Sequence, residues 1–148
     1  AADVRCRLDP PVELPAWRIT AETRHNLFLA FKEALNNVLK HAAATEVRVS
    51  LSLRPDSFVL TIKDDGRGFD PKKTGTPADG RLVSGHGLPN MHQRLENIGG
   101  QCDITSEPGH GTCVSFLVSI PSQTETSQPP ASKRSLSPKS PNPRPQTP

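Results

Sequence analysis

The sequence predicts an α+β fold in which a mixed, mainly antiparallel sheet packs against helices as a two-layer sandwich. Residues 47–63 and 102–120 each consist of two segments that alternate apolar and polar side chains around a short turn. Such pairs are typical of antiparallel hairpins. Two other stretches, beginning near residues 20 and 88, have apolar residues at helical spacing instead. Because helices and hairpins arrive in blocks, the chain does not resemble a regularly alternating α/β protein.

Alternation along the chain defines five predicted strands. Val4, Cys6 and Leu8 alternate with charged residues, which indicates a short first strand. The third strand ends just before Asp64, and this places a carboxylate at the edge of the sheet. The predicted strands are residues 4–8, 47–53, 58–63, 102–106 and 112–120.

The first helix is predicted to begin after Thr20, whose hydroxyl can cap it, with Glu22 in its first turn. The second covers residues 88–98 and is ended by Gly99-Gly100. Between the hairpin and the second helix, residues 70–84 are rich in Gly and Pro and predict a lid or binding loop. One apolar stripe is expected on the first helix, opposite Glu33, Asn37 and Lys40; its members are Leu27, Phe28, Phe31, Leu35, Val38 and Leu39.

Composition divides the chain into a domain, residues 1–121, and a tail, residues 122–148. The segment from Pro121 onward contains half of the 16 prolines and no apolar periodicity, so we expect it to be disordered. The tail also carries the whole net charge of +3, because the first 120 residues have equal numbers of basic and acidic side chains. A basic pI therefore does not indicate a nucleic-acid partner.

Three cysteines, Cys6, Cys102 and Cys113, lack paired metal-ligand spacing. They predict reduced thiols of a cytoplasmic protein, not a disulfide framework or a zinc site. No apolar run approaches the roughly 20 residues of a membrane-spanning helix. The chain starts without Met, and we expect it to be part of a longer protein, with membrane anchoring of that protein left open.

Three clusters carry the functional signal. Glu33 and Asn37 lie four residues apart and so share one face of the first helix. Asp64-Asp65-Gly66-Arg67-Gly68-Phe69 is a carboxylate followed by alternate glycines, which suits a pocket where backbone approaches a flat ring. Gly85-His86-Gly87-Leu88 opens the second helix, whose unpaired N–H groups and dipole suit phosphates. Together the clusters indicate a nucleotide site with a metal ion.

These clusters resemble the motifs of the GHKL ATPase superfamily, which includes gyrase, heat-shock chaperone, histidine kinase and mismatch-repair ATPases. Glu33–Ala42 resembles the N box, Asp64–Phe69 the G1 box and Gly85–Leu88 the G2 box, and the run Gly99–Thr112 also matches. Within the superfamily the chain is most similar to the ATP-binding catalytic domain of sensor histidine kinases partnered with LuxR-type response regulators. The resemblance implies the GHKL ATPase fold with a long ATP lid.

The chemistry of Asp64 favours ATP over GTP. An ionised carboxylate only accepts hydrogen bonds, so it suits the exocyclic amine of adenine and repels the guanine carbonyl. Gly66 and Gly68 are expected to give the ring space. Asp65 and Arg67 occupy variable positions of the motif and are expected to face solvent.

The resemblance also implies roles for other residues. Asn37 is implied to be the Mg²⁺ ligand, which suits an ion that keeps several waters and binds mostly through phosphates. Glu33 is implied to be the polarising or general-base group. Lys40 and His41, one turn further on, often reach phosphate oxygens in the family, and Thr112 matches a threonine that completes the adenine contact through water.

These features predict a catalytic domain that binds Mg²⁺-ATP and donates the γ-phosphoryl group to a histidine on a dimerisation domain. None of the five histidines is followed by an acidic residue, as in the family's phosphoacceptor motif, so the acceptor is expected elsewhere. The phosphoryl group would pass to a response regulator, and the parent protein is expected to be a homodimer. The alternatives are an anti-sigma-factor-type serine kinase of the same superfamily and a nucleotide-binding regulatory module without transfer activity.

Overall fold

A computed structural model describes residues 3–72 and 87–120. It confirms the α+β class and each predicted strand and helix, with boundaries shifted by one or two residues. The elements are β1 (Arg5–Asp9), α1 (Ala21–Asn37), a π-helical turn (Val38–Ala42), β2 (Glu46–Leu53), β3 (Ser57–Asp64), α2 (Gly87–Glu96), β4 (Gln101–Ser106) and β5 (Thr112–Ser119). Most of the predicted lid and the whole predicted tail lie outside the described residues.

The five described strands form one mixed sheet in the order β1-β2-β3-β5-β4. β1 pairs with β2 in parallel, and the other three pairs are antiparallel. The parallel pair requires a crossover, which α1 supplies, whereas short turns join the antiparallel hairpins β2–β3 and β4–β5. The expected mixed, mainly antiparallel sheet is therefore confirmed.

One face of the sheet and the two helices enclose the core. Strands β2, β3 and β5 contribute alternate apolar side chains to it, as period-two patterns require. The largest fully buried side chains are Phe116, Ile62, Met91, Leu95 and Val118. No helix within the described residues is long and apolar enough to cross a membrane.

The apolar stripe predicted on α1 is wrong at two positions. Phe28 is 61% exposed and Leu39 is 60% exposed, while Ala30, Ala34 and Val38 are buried. These three residues follow an i, i+4 spacing and form the centre of the inward face. Because an alanine has only a methyl side chain, α1 can lie close to its neighbours along this line. The large side chains of Phe28 and Leu39 lie away from this line and are left in solvent.

The ends of both helices follow the predicted chemistry. The Thr20 side chain accepts a hydrogen bond from the Thr23 N–H at 3.1 Å, which caps α1. After α2, Gly99 has φ +67° and the Gly100 N–H donates to the Leu95 carbonyl at 2.8 Å. This is the glycine-ended helix terminus that the Gly99-Gly100 pair predicted.

Candidate functional site

Asp64 lies at the end of β3, between β2 and β5, and is only 5% exposed. Its Oδ1 accepts a hydrogen bond from the Gly66 N–H at 2.8 Å. Burial raises the pKa of the Asp64 carboxyl, and the Asp65 charge adds to this, while backbone donors at Gly66 and Thr112 oppose it. The result is a buried acceptor held in place by backbone and without an ion-pair partner among the described residues.

The loop after Asp64 lies against the end of the first helix on one side. A Cβ at Gly66 would overlap the Ala42 carbonyl oxygen and lie 2.7 Å from the Ala42 Cβ. The Arg67 N–H donates to the same Ala42 carbonyl at 2.7 Å. Gly66 therefore lets the loop pack directly on the π-helical turn.

On its other side the same loop lies against the β4–β5 turn. Gly68 has φ +60°, and a Cβ there would overlap the Glu107 carbonyl oxygen. The Gly109 N–H donates to the Arg67 carbonyl at 2.6 Å. Packing against protein thus accounts for both loop glycines, and their predicted role in giving a base ring space stays a prediction.

Asp65 is exposed, as predicted, but its carboxylate is fully engaged. It accepts hydrogen bonds from the Thr45 N–H at 2.8 Å, the Thr45 hydroxyl at 2.6 Å and the Glu46 N–H at 2.9 Å. The Thr45 hydroxyl, followed by these backbone donors, lowers the pKa of the Asp65 carboxyl. Its role is to tie the start of β2 to the loop, which the sequence did not indicate. Arg67 is exposed, as expected.

Ser106 connects the same loop to the start of β5. Its Oγ accepts a hydrogen bond from the Phe69 N–H at 2.9 Å, donates to the Gly111 carbonyl at 3.0 Å and lies 2.9 Å from the Thr112 Oγ1. Sequence reasoning missed Ser106, because its position directly opposite Thr112 is set by the hairpin register, which the structure reveals.

Glu33 faces the start of α2 and not open solvent. It is half-buried, and a Cβ at Gly87 would overlap its Oε1. A carboxylate at this point lies near the positive end of the α2 dipole. Gly87 therefore lets the Glu33 carboxylate pack directly against the N-terminus of α2.

The remaining predicted residues of the first helix lie further toward its end. Asn37 is the last residue of α1 and is half-buried. Lys40 is exposed and His41 half-buried, both in the π-helical turn that ends against the Asp64 loop. Single-turn π-helical segments occur frequently at functional sites.

Leu88 follows Gly87 in α2 and is half-buried, whereas Gly85 and His86 lie outside the described residues. Within the described part of the chain, no three His, Cys, Asp or Glu side chains cluster to hold a metal ion. An Mg²⁺ bound mostly through phosphates and one amide oxygen does not need such a cluster. Asn37 thus fits the hard-oxygen donor that was predicted for it.

The last turns of α1 and the π-helical turn therefore link the two parts of the predicted site: Glu33 lies against the start of α2, and Ala42 lies against the loop that follows Asp64. The described residues offer a buried acceptor at Asp64 and, at Gly87, the N-terminus of a helix. Such a pairing can hold an amine at one end of a ligand and an anion at the other.

Comparisons with known proteins identify the family of the chain. Residues 22–123 match the family described as histidine kinase-, DNA gyrase B-, and HSP90-like ATPase. The signal transduction histidine-protein kinase/phosphatase DegS of Brevibacillus brevis is 38% identical over 101 residues, which are 67% of this chain and 23% of DegS. Sensor protein VraS of Staphylococcus aureus (strain COL) is 33% identical over 100 residues, which are 68% of this chain and 27% of VraS.

The chain thus spans about a quarter of the length of these two relatives. Among solved structures, the ATP binding domain of PrrB from Mycobacterium tuberculosis has a TM-score of 0.60 at 25% identity, covering 81% of this chain and 82% of that one. The resemblance that the motifs predicted is confirmed. The chain belongs to the histidine kinase-, DNA gyrase B- and HSP90-like ATPase family, and its fold is that of a histidine kinase ATP-binding domain.

Proposed function

We propose that this chain is the ATP-binding catalytic domain of a sensor histidine kinase. In this proposal it binds ATP with Mg²⁺ and donates the γ-phosphoryl group to a histidine on a dimerisation domain. The observation that carries the proposal is the Asp64 carboxylate, buried at a strand end and held by backbone N–H groups. The start of α2, a helix N-terminus suited to anions, supports phosphate binding at the other end of the proposed site.

Asp64 selects the base. Its carboxylate accepts a hydrogen bond from the exocyclic amine of adenine, and it has only acceptors to offer when ionised. A guanine would present a carbonyl oxygen at the same point and leave two acceptors facing each other. Thr112, whose backbone bonds Asp64, contributes its hydroxyl to the same end of the site.

In this proposal the phosphates of ATP lie toward α2, because the N-terminus of that helix, which begins at Gly87, and the helix dipole favour anions. Asn37 would hold Mg²⁺ through its amide oxygen, and Glu33 would polarise the groups that react at this end of the site. Lys40 and His41 supply cationic or hydrogen-bonding groups to phosphate oxygens. Bound Mg²⁺ would supply positive charge that stabilises the transferring phosphoryl group.

Transfer requires an acceptor from outside this site. In-line attack needs a nucleophile about 3–3.5 Å from the phosphorus, on the side opposite the leaving group. None of the five histidines has the acidic neighbour of the family's acceptor motif. The partners are therefore a dimerisation domain that carries the acceptor histidine and a response regulator that takes the phosphoryl group from it, in a homodimeric parent protein whose catalytic part is cytoplasmic.

Labelling with γ-phosphate-labelled ATP tests this proposal. The chain is mixed with a separately supplied histidine kinase dimerisation domain or with the same domain lacking its acceptor histidine. We expect base-stable, acid-labile label on the intact domain alone, and no label on the chain by itself. Acid-labile label on the chain would show an internal acceptor. Acid-stable label on an added serine-containing protein would favour a serine kinase instead.

A further inference from the structure

Ser106 ends β4, outside the motifs that the sequence analysis assigned to the site. Its hydroxyl nevertheless has three partners: the Phe69 N–H at 2.9 Å, the Gly111 carbonyl at 3.0 Å and the Thr112 hydroxyl at 2.9 Å. The three partners belong to the loop that follows Asp64 and to the start of β5. Ser106 therefore joins two of the elements that form the candidate site.

Counting protons fixes the direction of these bonds. A serine hydroxyl has one proton and two lone pairs. The Phe69 N–H can only donate, so it occupies one lone pair, and the Gly111 carbonyl can only accept, so it takes the proton. Among the described residues, the Gly111 carbonyl otherwise accepts only from the Glu107 N–H, at 3.5 Å, which is long for a hydrogen bond. All three contacts of Ser106 are then hydrogen bonds when the Thr112 hydroxyl donates its own proton to the second lone pair of Ser106.

In this arrangement the Thr112 hydroxyl has only its lone pairs available to a ligand. Its hydroxyl proton is committed to Ser106, so the oxygen can accept hydrogen bonds from the site but cannot donate to it. The Thr112 backbone meanwhile donates to Asp64, whose carboxylate is also an acceptor. Two acceptors of the same polarity thus stand at one end of the site.

We propose that Ser106 is a positioning residue that sets the polarity of the Thr112 hydroxyl and thereby the preference for a 6-amino over a 6-oxo purine. This inference rests on the proposed function. A 6-amino group has two protons and can satisfy both acceptors, directly or through a water. A 6-oxo group has none. Without the Ser106 hydroxyl, the Thr112 hydroxyl can rotate and donate its proton to the base. A 6-oxo base then faces one acceptor, Asp64, and one donor instead of two acceptors.

A second hydroxyl pair gives a matched control. Thr61 and Ser115 face each other across β3 and β5, with 3.5 Å between their oxygens, on the sheet face opposite Ser106 and Thr112. Ser115→Ala removes a half-buried strand hydroxyl from the same sheet without touching the candidate site. It therefore reports the effect of losing a hydroxyl from the fold alone.

The test compares binding of ADP and inosine diphosphate by calorimetry, because inosine diphosphate has a 6-oxo group, and with it a proton on N1, where ADP has a 6-amino group and an unprotonated N1. We expect the wild type and Ser115→Ala to prefer ADP by the same factor. Ser106→Ala and Thr112→Val should each narrow that preference about tenfold. The double variant should narrow it no further, because residues that act through one another are not additive. Ser106→Thr, which keeps the hydroxyl, should restore it.

Ser106→Cys, close to serine in size but a weak hydrogen-bonding group, gives a second variant if Ser106→Ala does not fold, and should narrow the preference in the same way. Equal loss of ADP and inosine diphosphate affinity in these Ser106 variants would overturn the proposal and leave Ser106 a structural tie. Additive losses in the double variant would overturn it as well. A wild type that binds neither nucleotide would instead overturn the proposed function on which the inference rests.

Discussion

Asp64 is the residue on which nucleotide recognition depends most directly. Its burial makes the charged form costly, and only backbone donors offset that cost among the described residues. Replacing it with Asn exchanges one acceptor oxygen for a donor. We expect Asp64→Asn to weaken ADP binding by about 1–3 kcal/mol, the range for mispairing a buried polar group. Calorimetry that gives equal affinities would contradict the adenine assignment. Asp103→Asn, at an exposed position of β4, is the control.

The raised pKa of Asp64 also predicts a pH dependence. Binding an amine requires the ionised carboxylate, so ADP affinity should fall as pH decreases through the raised pKa, at a higher pH than an ordinary carboxyl titrates. The effect on stability has the opposite sign. Folding favours the protonated form, so the contribution of Asp64 to the free energy of unfolding is present at low pH and is lost as pH rises through the folded-state pKa. Both pH dependences should be absent in Asp64→Asn. Measuring ADP affinity and urea unfolding over a range of pH values checks this.

Asn37 is predicted to contact the metal ion and not the base. Asn37→Ala should therefore weaken ADP binding about tenfold with Mg²⁺ present, roughly 1.4 kcal/mol, and much less with chelator. Asn36→Ala, a neighbouring half-buried amide, is the matched control. The same loss with and without metal would mean that Asn37 has a structural role.

At the scale of elements, the end of the first helix carries a strain that the sequence did not reveal. Ala43 follows the π-helical turn with φ +50°, a left-handed conformation that costs an L-residue about 1–2 kcal/mol. Glycine adopts this conformation freely but loses about 0.5–1 kcal/mol more backbone entropy. Ala43→Gly should thus raise the free energy of unfolding by about 0.5–1 kcal/mol. Urea unfolding tests this, with Ala21→Gly in the first turn of α1 as a control that should destabilise.

The elements themselves were largely predictable, because each is specified by a local pattern. The alternation of apolar and polar residues predicted the hairpins, Thr20 predicted the start of α1, and Gly99-Gly100 predicted the end of α2. The orientation of α1 was not predictable in the same way. Hydrophobicity favoured Phe28 and Leu39 as buried residues, but the buried face of α1 is centred on the small side chains of Ala30 and Ala34. Which face of a helix packs closely against its neighbours depends on tertiary contacts, which the local sequence does not reveal.

The same division holds for the site. Motif spacing could indicate Asp64 and the Glu33–Asn37 pair, because their chemistry is carried by residue type and short separation. It could not indicate Ser106 or the bonds made by Asp65, since these depend on a strand register and on a loop contact 19–20 residues apart in sequence. Serine is also too common at strand ends for its position alone to carry a signal.

At the scale of the whole molecule, the site depends on two loops that interlock through backbone. Gly111 has φ +78°, and a Cβ there would overlap the Asp64 carbonyl oxygen, so the β4–β5 turn lies directly on the end of β3. Gly109, two residues earlier, has φ +84° but no neighbouring atom within 4 Å of a Cβ. A substitution at Gly109 therefore tests the cost of the left-handed conformation alone. A substitution at Gly111 tests that cost together with the cost of a steric overlap.

Gly109→Ala should reduce the free energy of unfolding by about 1–2 kcal/mol, the cost of a left-handed conformation. Gly111→Ala should reduce the free energy of unfolding by at least about 1 kcal/mol more than Gly109→Ala does, as overpacked sites do. The new methyl group would overlap the backbone of Asp64, which cannot move aside. Only Gly111→Ala should also weaken ADP binding, since it displaces Asp64. Urea unfolding and calorimetry on both variants give the comparison. Equal losses of stability and unchanged binding would mean that the two loops are not rigidly coupled and that Asp64 keeps its position without the β4–β5 turn.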